Sequence, residues 1–348
     1  MDAMVTTALP PRPPLYTLDN NSNEMDISTA PPSCCPTPTT SPSLSQLLEK
    51  HSLPSTALTS IQELLISTAE LAGAMMLTAS PSTTPCSTTK KNTSDRVTQT
   101  DREIESFVAS HLHTAYPQIP FLGEETSKKN QALTDAPTFV CDPIDGTLNF
   151  IHGFPNTAVS LALTIERRPV VGVVFNPFRG DLYMAVKAQG AFLRRATDQW
   201  HRLPLRGVPS PLPSLNDSLV GIEWGNERAG PNWALRSGMA HKLLLARQEG
   251  GAMVHSVRSS GSAALAFCSV AAGQLDLFWE GGCWVWDVCA GWIVLEEAGG
   301  IVASANPGDW EPEVEGRLYL AVRGAKRKEQ EGIVREVWDL MGERRFVF

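Results

Sequence analysis

The run Asp142-Pro143-Ile144-Asp145-Gly146-Thr147 sets two carboxylates on either side of a proline and follows them with a glycine and a hydroxyl. Pro143 restricts φ and Gly146 can take a conformation that other residues resist, so a tight turn is expected after the apolar stretch Thr138 to Cys141. Two aspartates leaving a strand on such a turn come close enough to share a hard cation. Just beyond them, the free amides of Gly146 and Thr147 open a helical turn and can hold phosphate oxygens. Taken alone, the run is better read as an ordinary turn, because Asp, Pro and Gly are common turn formers.

Two further acidic positions change that balance. Gly123-Glu124-Glu125 follows the apolar run Ile119 to Leu122, again at a strand end. Trp286-Asp287-Val288-Cys289-Ala290-Gly291 puts an aspartate at the start of an otherwise apolar helix, where an N-cap is the plain account. Carboxylates converging from several element ends would repel one another unless a cation lay between them. A cluster of oxygen donors suits Mg2+, which prefers carboxylates, carbonyls, water and substrate phosphate.

These three motifs, in this order, resemble the signature motifs of the inositol monophosphatase family. The resemblance runs from about Leu44 to the end of the sequence and includes Asp95 to Asp101 and Gly261-Ser262-Ala263-Ala264-Leu265. The tail before Leu44 and the loop Pro81 to Thr89 extend beyond the family pattern. The resemblance implies that Glu124, Asp142 and the Ile144 carbonyl bind a first Mg2+, that Asp142, Asp145 and Asp287 bind a second, and that Glu124 helps hold a third. Thr147, bonded towards Asp101, is similar to the residue that works with Glu124 to orient the attacking water. The substrate contacts implied are Asp145, Gly146, Thr147 and Asp287, with Ala263 and Glu280 where the family meets inositol hydroxyls. Lys90 or Lys91 falls on a loop that approaches the metals in relatives.

The activity implied is Mg-dependent hydrolysis of myo-inositol monophosphate to inositol and phosphate. Metal ions can lower the pKa of a bound water and neutralise the phosphate oxygens, so direct in-line attack by a metal-activated water is expected. A phosphoenzyme is disfavoured, since no serine or cysteine has a base in a recognisable motif. The alkoxide would be protonated by water near Asp287. The resemblance also suggests inhibition by Li+ and a homodimer. Alternatives are another phosphatase of the superfamily, acting on a nucleotide 3′-phosphate, a sugar bisphosphate or histidinol phosphate, and a catalytically silent binding module. Glu280 favours a neutral polyol over a second phosphate, which it would repel, and retention of the acidic set argues against a silent module.

The elements that must position these groups follow from periodicity. Leu58, Ile61, Leu65, Thr68, Ala72 and Met75 recur at helical spacing, and Ser80 to Thr89 reads as a mobile loop. Thr98 and Asp101 have the spacing of an N-cap and its N3 acid, ahead of a stripe of Ile104, Phe107, Val108 and Leu112. Short β-rich runs then form a meander: Thr138 to Cys141, Thr157 to Ile165, Val170 to Phe175 and Leu182 to Val186. After the Pro-rich connection Leu203 to Leu215, strands and helices alternate. Strands are expected at Ser218 to Glu223, Val254 to Arg258, Leu275 to Trp279 and Leu318 to Val322. Helices are expected at Trp233 to Gln248, Ser262 to Ala272, Val288 to Ala298 and Lys326 to Met341. The expected fold is α/β (α+β layered) with two sheets, and the resemblance to the inositol monophosphatase family implies an alternating α-β-α-β-α sandwich. Its parts are a disordered low-complexity tail over residues 1–42, an N-terminal half over 43–205 carrying the metal site, and a C-terminal half over 206–348 completing it.

Bulk properties bound the rest. The chain has 348 residues, 42% of them hydrophobic, enough for a sizeable core, and a formal charge of −8 that argues against a nucleic-acid binder relying on a basic surface. Seven cysteines without zinc spacing read as free thiols in a reducing compartment. With neither a membrane span nor a secretory signal in view, a cytoplasmic protein is expected. His152, Arg194, Arg195 and the run Lys326 to Lys328 read as surface or solvated groups. The tryptophans Trp279, Trp284, Trp286 and Trp292 read as packing.

Overall fold

The computed structural model describes residues 43–54, 56–79, 87–89, 96–127, 131–195 and 199–348; the tail over 1–42, with Lys90 and Lys91, lies outside them. Helices α1 (Leu44–Lys50) and α2 (Ala57–Thr78) come first. The buried face of α2 is Leu58, Ile61, Leu65, Thr68, Ala72 and Met76, so Met76 rather than Met75 closes the stripe. Strands β1 (Ser87–Thr89) and β2 (Arg96–Thr98) pair antiparallel. Part of the expected Ser80 to Thr89 loop is therefore a strand, a conformation that β-branched threonine suits.

At the start of α3 (Gln99–Ala115), the Thr98 hydroxyl accepts from the Asp101 amide while the Asp101 carboxylate accepts from the Thr98 amide. This reciprocal cap satisfies two donors that the helix end would otherwise orphan. Ile104, Val108 and Leu112 are buried, with Phe107 at the margin.

A seven-stranded sheet follows in chain order: β3 (Phe121–Gly123), β4 (Thr138–Asp145), β5 (Ala158–Ile165), β6 (Arg168–Asn176), β7 (Asp181–Val186), β8 (Gly190–Arg194) and β9 (Trp200–Arg202). Only β3 and β4 run parallel; the rest is the expected meander, extended by β8 and β9. Those two strands were not foreseen because their apolar runs are too short to stand out. Arg194 is also not a solvated charge: it pairs with Glu70 and lies 5.3 Å from the centroid of the Trp200 ring. The short helix α4 (Thr147–His152) interrupts the sheet after β4 and leaves His152 exposed.

The remaining elements are β10 (Leu219–Ile222), α5 (Gly230–Leu244), β11 (Ser256–Arg258), α6 (Ala263–Ala271), β12 (Leu277–Gly281), α7 (Val285–Glu297), β13 (Ile301–Ala303), β14 (Leu318–Val322) and α8 (Arg327–Met341). The second sheet has the order β11-β10-β12-β14-β13, with β10 parallel to both its neighbours.

Helices α2 and α3 cover one face of the first sheet, α6 and α7 fill the space between the sheets, and α5 and α8 cover the far face of the second. This is the expected α-β-α-β-α layering. Strand β5 is buried on both faces and so reads as a continuous apolar run. Its Val159, Leu161 and Leu163 face α2 and α3, while the smaller Ala158 and Ala162 face the inner helices. Helix α7, enclosed by both sheets, is apolar almost all round for the same reason. Among the described residues, Cys141, Cys268, Cys283 and Cys289 are buried free thiols, and no helix is long and apolar enough to cross a membrane.

Candidate active site

Strand β4 carries both central aspartates. It is paired with β5 through Asp142 opposite Ser160 and Asp145 opposite Ala158, with a bulge between the two pairs that turns both carboxylates out of the regular pleat. The Asp142 carboxylate accepts from the Ile144 amide at 3.0 Å. Gly146, at φ +93°, then reverses the chain into α4. A Cβ there would also lie 2.9 Å from the Gly261 carbonyl, so glycine is required twice over.

Three other elements converge on this turn. The start of α6 arrives with the Ser262 hydroxyl and the Ala264 amide both donating to one Asp145 oxygen, the second at 2.8 Å, which brings Ala263 beside the carboxylate. Asp287 stands in the first turn of α7, not ahead of it as expected, and its carboxylate accepts from the Trp284 amide at 2.6 Å. The Ser160 hydroxyl donates to the Trp286 carbonyl at 3.1 Å and so fastens the beginning of α7 to the strand beside Asp142. Glu124 follows β3, its amide donating to the Cys141 carbonyl at 3.2 Å. Below it, Glu105 of α3 occupies the space a Cβ on Gly123 would need and accepts from the Glu125 amide at 2.7 Å.

Asp142, Asp145 and Asp287 thereby place side-chain oxygens within 4.8 Å of one another. Glu124 adjoins this triad without being part of it, and is the strongest acidic influence on Asp142. Burial drives the Asp142 carboxyl well above its usual range, and Glu124, Asp145 and Asp287 push it further. Asp145 is raised by burial and then by Asp287, against the opposing hydrogen bonds from Ser262, Ala264 and Ala263. An array of buried carboxylates with no cation between them is costly, and its oxygen-only donor set fits a hard divalent ion.

The Thr147 hydroxyl lies 3.2 Å from both the Asp101 carboxylate and the Ile144 carbonyl. Asp101 is itself buried and raised, by burial first, with the Thr98 cap opposing. Glu280 ends up in β12 and is buried; burial and then Glu223 push its carboxyl well up. The structure thus brings Asp142, Asp145 and Asp287 together, bonds Thr147 to Asp101, and sets Ala263 beside Asp145, while Glu124 and Glu280 stand outside the triad and act on it through their charge.

The sequence model of the inositol monophosphatase family matches residues 57–341. The chain belongs to that family. Inositol monophosphatase 2 of Saccharomyces cerevisiae is 46% identical over 253 residues, covering 72% of this chain and 83% of the relative. Quinic acid degradation cluster protein x of Neurospora crassa is 41% identical over 284 residues, 74% of this chain and 82% of that protein. Among solved structures, the extragenic suppressor protein suhB of Bartonella henselae superposes with a TM-score of 0.65 at 26% identity, covering 82% of this chain and 99% of that one. As an inositol monophosphatase family member the chain is a phosphatase, and its cluster of Asp142, Asp145 and Asp287 could hold a metal ion.

Sequence reasoning overlooked the groups that hold this acidic cluster in place. Ser160 is a buried hydroxyl between apolar neighbours in β5, and Glu105 is an acid beside Ile104 and Val108 on the buried face of α3. Buried polar residues of this kind must find partners, which was the available signal. The Glu223 carboxylate takes the Ser260 and Gly261 amides at 2.6 and 2.8 Å, and the Asn149 side chain donates to the Asn156 and Ser260 carbonyls. Nothing local in the sequence marks these two.

Proposed function

We propose that this chain hydrolyses myo-inositol monophosphate to inositol and inorganic phosphate with Mg2+ as its metal. The observation that carries the reading is the convergence of Asp142, Asp145 and Asp287 within 4.8 Å, beside Thr147 and a buried acceptor at Glu280. Mg2+ would be held by these aspartates, Glu124 and the Ile144 carbonyl, and when bound it would supply charge for the phosphoryl oxygens and a more acidic water.

The chain's own groups do the rest. Thr147 has one hydroxyl proton; donated to Asp101, it leaves an oxygen lone pair to orient the attacking water. Glu124 receives that water's proton. The Gly146 and Thr147 amides, with Asp145 and Asp287 close by, face the phosphate. Ala263 and Glu280 meet the hydroxyl-bearing part of the substrate. Glu280 offers a buried carboxyl oxygen that suits a polyol hydroxyl and gives a second phosphate no cationic partner, which supports a neutral polyol over a bisphosphate. The similarity to a quinic acid degradation cluster protein supports a second reading, in which a different cyclic polyol phosphate is preferred. Family membership alone supports the further features of this reading, namely a cytoplasmic homodimer inhibited by Li+.

Phosphate release from a panel of esters, with and without Mg2+, tests the proposal. Mg-dependent release that is fastest from inositol monophosphate is expected. Faster release from a bisphosphate would overturn the substrate assignment, and no release from any ester would overturn the activity.

A further inference from the structure

The connection from Glu280 to Asp287 links the buried acceptor to the acidic cluster, and it passes through Gly281 and Gly282. Gly282 lies at φ +109°, and two glycines in succession give the backbone little intrinsic rigidity. What holds this turn comes from outside the site. A Cβ on Gly281 would lie 2.7 Å from the Phe346 ring, and one on Gly282 would lie 3.0 Å from the Phe348 ring. The two rings stack at 5.8 Å and occupy the space that side chains on the turn would fill.

The segment is held down by two side-chain amides, each pairing with a peptide in both directions. Asn306 donates to the Phe346 carbonyl at 3.0 Å and accepts from its amide at 2.9 Å; Asn232 does the same for Val347 at 2.8 and 3.0 Å. Phe346 also lies 4.8 Å from the Trp279 ring, next in the chain to Glu280. Two arginines complete the grip. Arg317 donates to the Gly282 carbonyl at 2.8 Å, and its guanidinium lies 4.0 Å from the Trp284 ring and 4.7 Å from the Phe348 ring. Arg236 donates to the Gly281 carbonyl at 2.5 Å and lies 5.1 Å from the Phe346 ring.

A second observation ties this grip to a ligand. Arg236 and Glu280 are buried, yet Glu280 Oε2 and Arg236 Nε and Nη1 have no partner among the described residues. Leaving a buried acceptor unmade is costly, and a hydroxyl donating to Glu280 Oε2 is a group that would complete it.

We propose that Phe346–Phe348, with Asn232 and Arg236, is a specificity element: it fixes the Glu280–Gly282 turn so that Glu280 presents a rigid acceptor to the hydroxyls of the substrate. These are positioning residues that act through Glu280. The inference rests on the polyol reading of the site given above.

The test compares the wild-type protein with Phe348→Ala and Asn232→Ala on inositol monophosphate and on 4-nitrophenyl phosphate, which has no polyol. For inositol monophosphate, KM should rise roughly five- to tenfold with kcat within about twofold, while KM for 4-nitrophenyl phosphate holds. Phe348→Leu should restore most of the loss. A fall of equal size for both esters, tracking a lowered melting temperature, would make the segment merely structural, and no change in the ratio of kcat/KM would also overturn the proposal. Wild-type preference for a different polyol ester would refute the inositol reading alone, and the ratio is then taken with that ester. A wild type that hydrolyses neither ester refutes both.

Discussion

Asp142→Asn should make the metal-free protein more stable while nearly abolishing its activity. Side-chain oxygens of Asp142, Asp145 and Asp287 lie within 4.8 Å of one another. Two like charges at that distance repel by about 3 kcal/mol at an effective dielectric constant of about 20. The folded protein relieves the burial of the charge first, and this repulsion with it, by taking up a proton, so the Asp142 carboxyl is raised. Because the folded state binds that proton more tightly than the unfolded chain does, the penalty is absent below the ordinary value of 3.8 and grows as pH rises towards the folded value. Holding one such proton at about pH 7.5 costs at most about 5 kcal/mol, at about 1.4 kcal/mol per pH unit. Asparagine keeps the acceptor for the Ile144 amide and removes the charge. A net gain of about 2–3 kcal/mol is expected, a rise in melting temperature of about 5 °C for a chain of this size. The assay is thermal unfolding in a chelator at about pH 7.5 and again near pH 4, where the gain should vanish. Mg2+ should raise the melting temperature of the wild type and not that of the variant. A variant that melts lower than wild type in chelator, or one still stabilised by Mg2+, would refute the reasoning.

Removing metal from the wild type should lower its melting temperature more at about pH 8 than at about pH 5.5, because ligation requires deprotonated Asp142 and Asp145; calorimetry of Mg2+ binding checks the same sign. Thr147→Ala should lower kcat by about 10²-fold, within the usual range for a group that positions a proton transfer, while Thr147→Ser retains most of the activity; steady-state kinetics separates the two. Ser160→Ala removes the bond to the Trp286 carbonyl and should cost about 1 kcal/mol of stability, with weaker Mg2+ binding as Asp287 loosens; melting and metal titration report both.

How much of this was legible in the sequence depends on range. The Asp142–Thr147 run announced itself because proline, glycine and paired acids act on their immediate neighbours. The Thr98–Asp101 cap was legible for the same reason. The two sheets and most of their helices followed from periodicity, whereas the burial of β5 on two faces and of α7 on nearly all of them came only with the structure. What escaped were contacts set by tertiary pairing. Strands β8, β9 and β13 are too short to carry a pattern, and Arg194 reads as solvated until Glu70, far away in the chain, comes to meet it. Asp287 was misplaced by a fraction of a turn because the apolar run of α7 hides where its helix begins.

Those hidden contacts decide how the cluster works. Three carboxylates could escape repulsion by rotating apart, as exposed acids do. Here each is tethered: Asp142 by the Ile144 amide, Asp145 by Ser262 and the Ala264 amide, Asp287 by the Trp284 amide. Every tether is a donor on rigid backbone or on a capping side chain, and none neutralises a full charge. The tethers fix where the oxygens point and leave the negative field uncompensated, so relief must come from a proton or a cation. At neutral pH a divalent cation relieves all three carboxylates at once, whereas a proton relieves one. The preference for metal is therefore set by hydrogen bonds that never touch it.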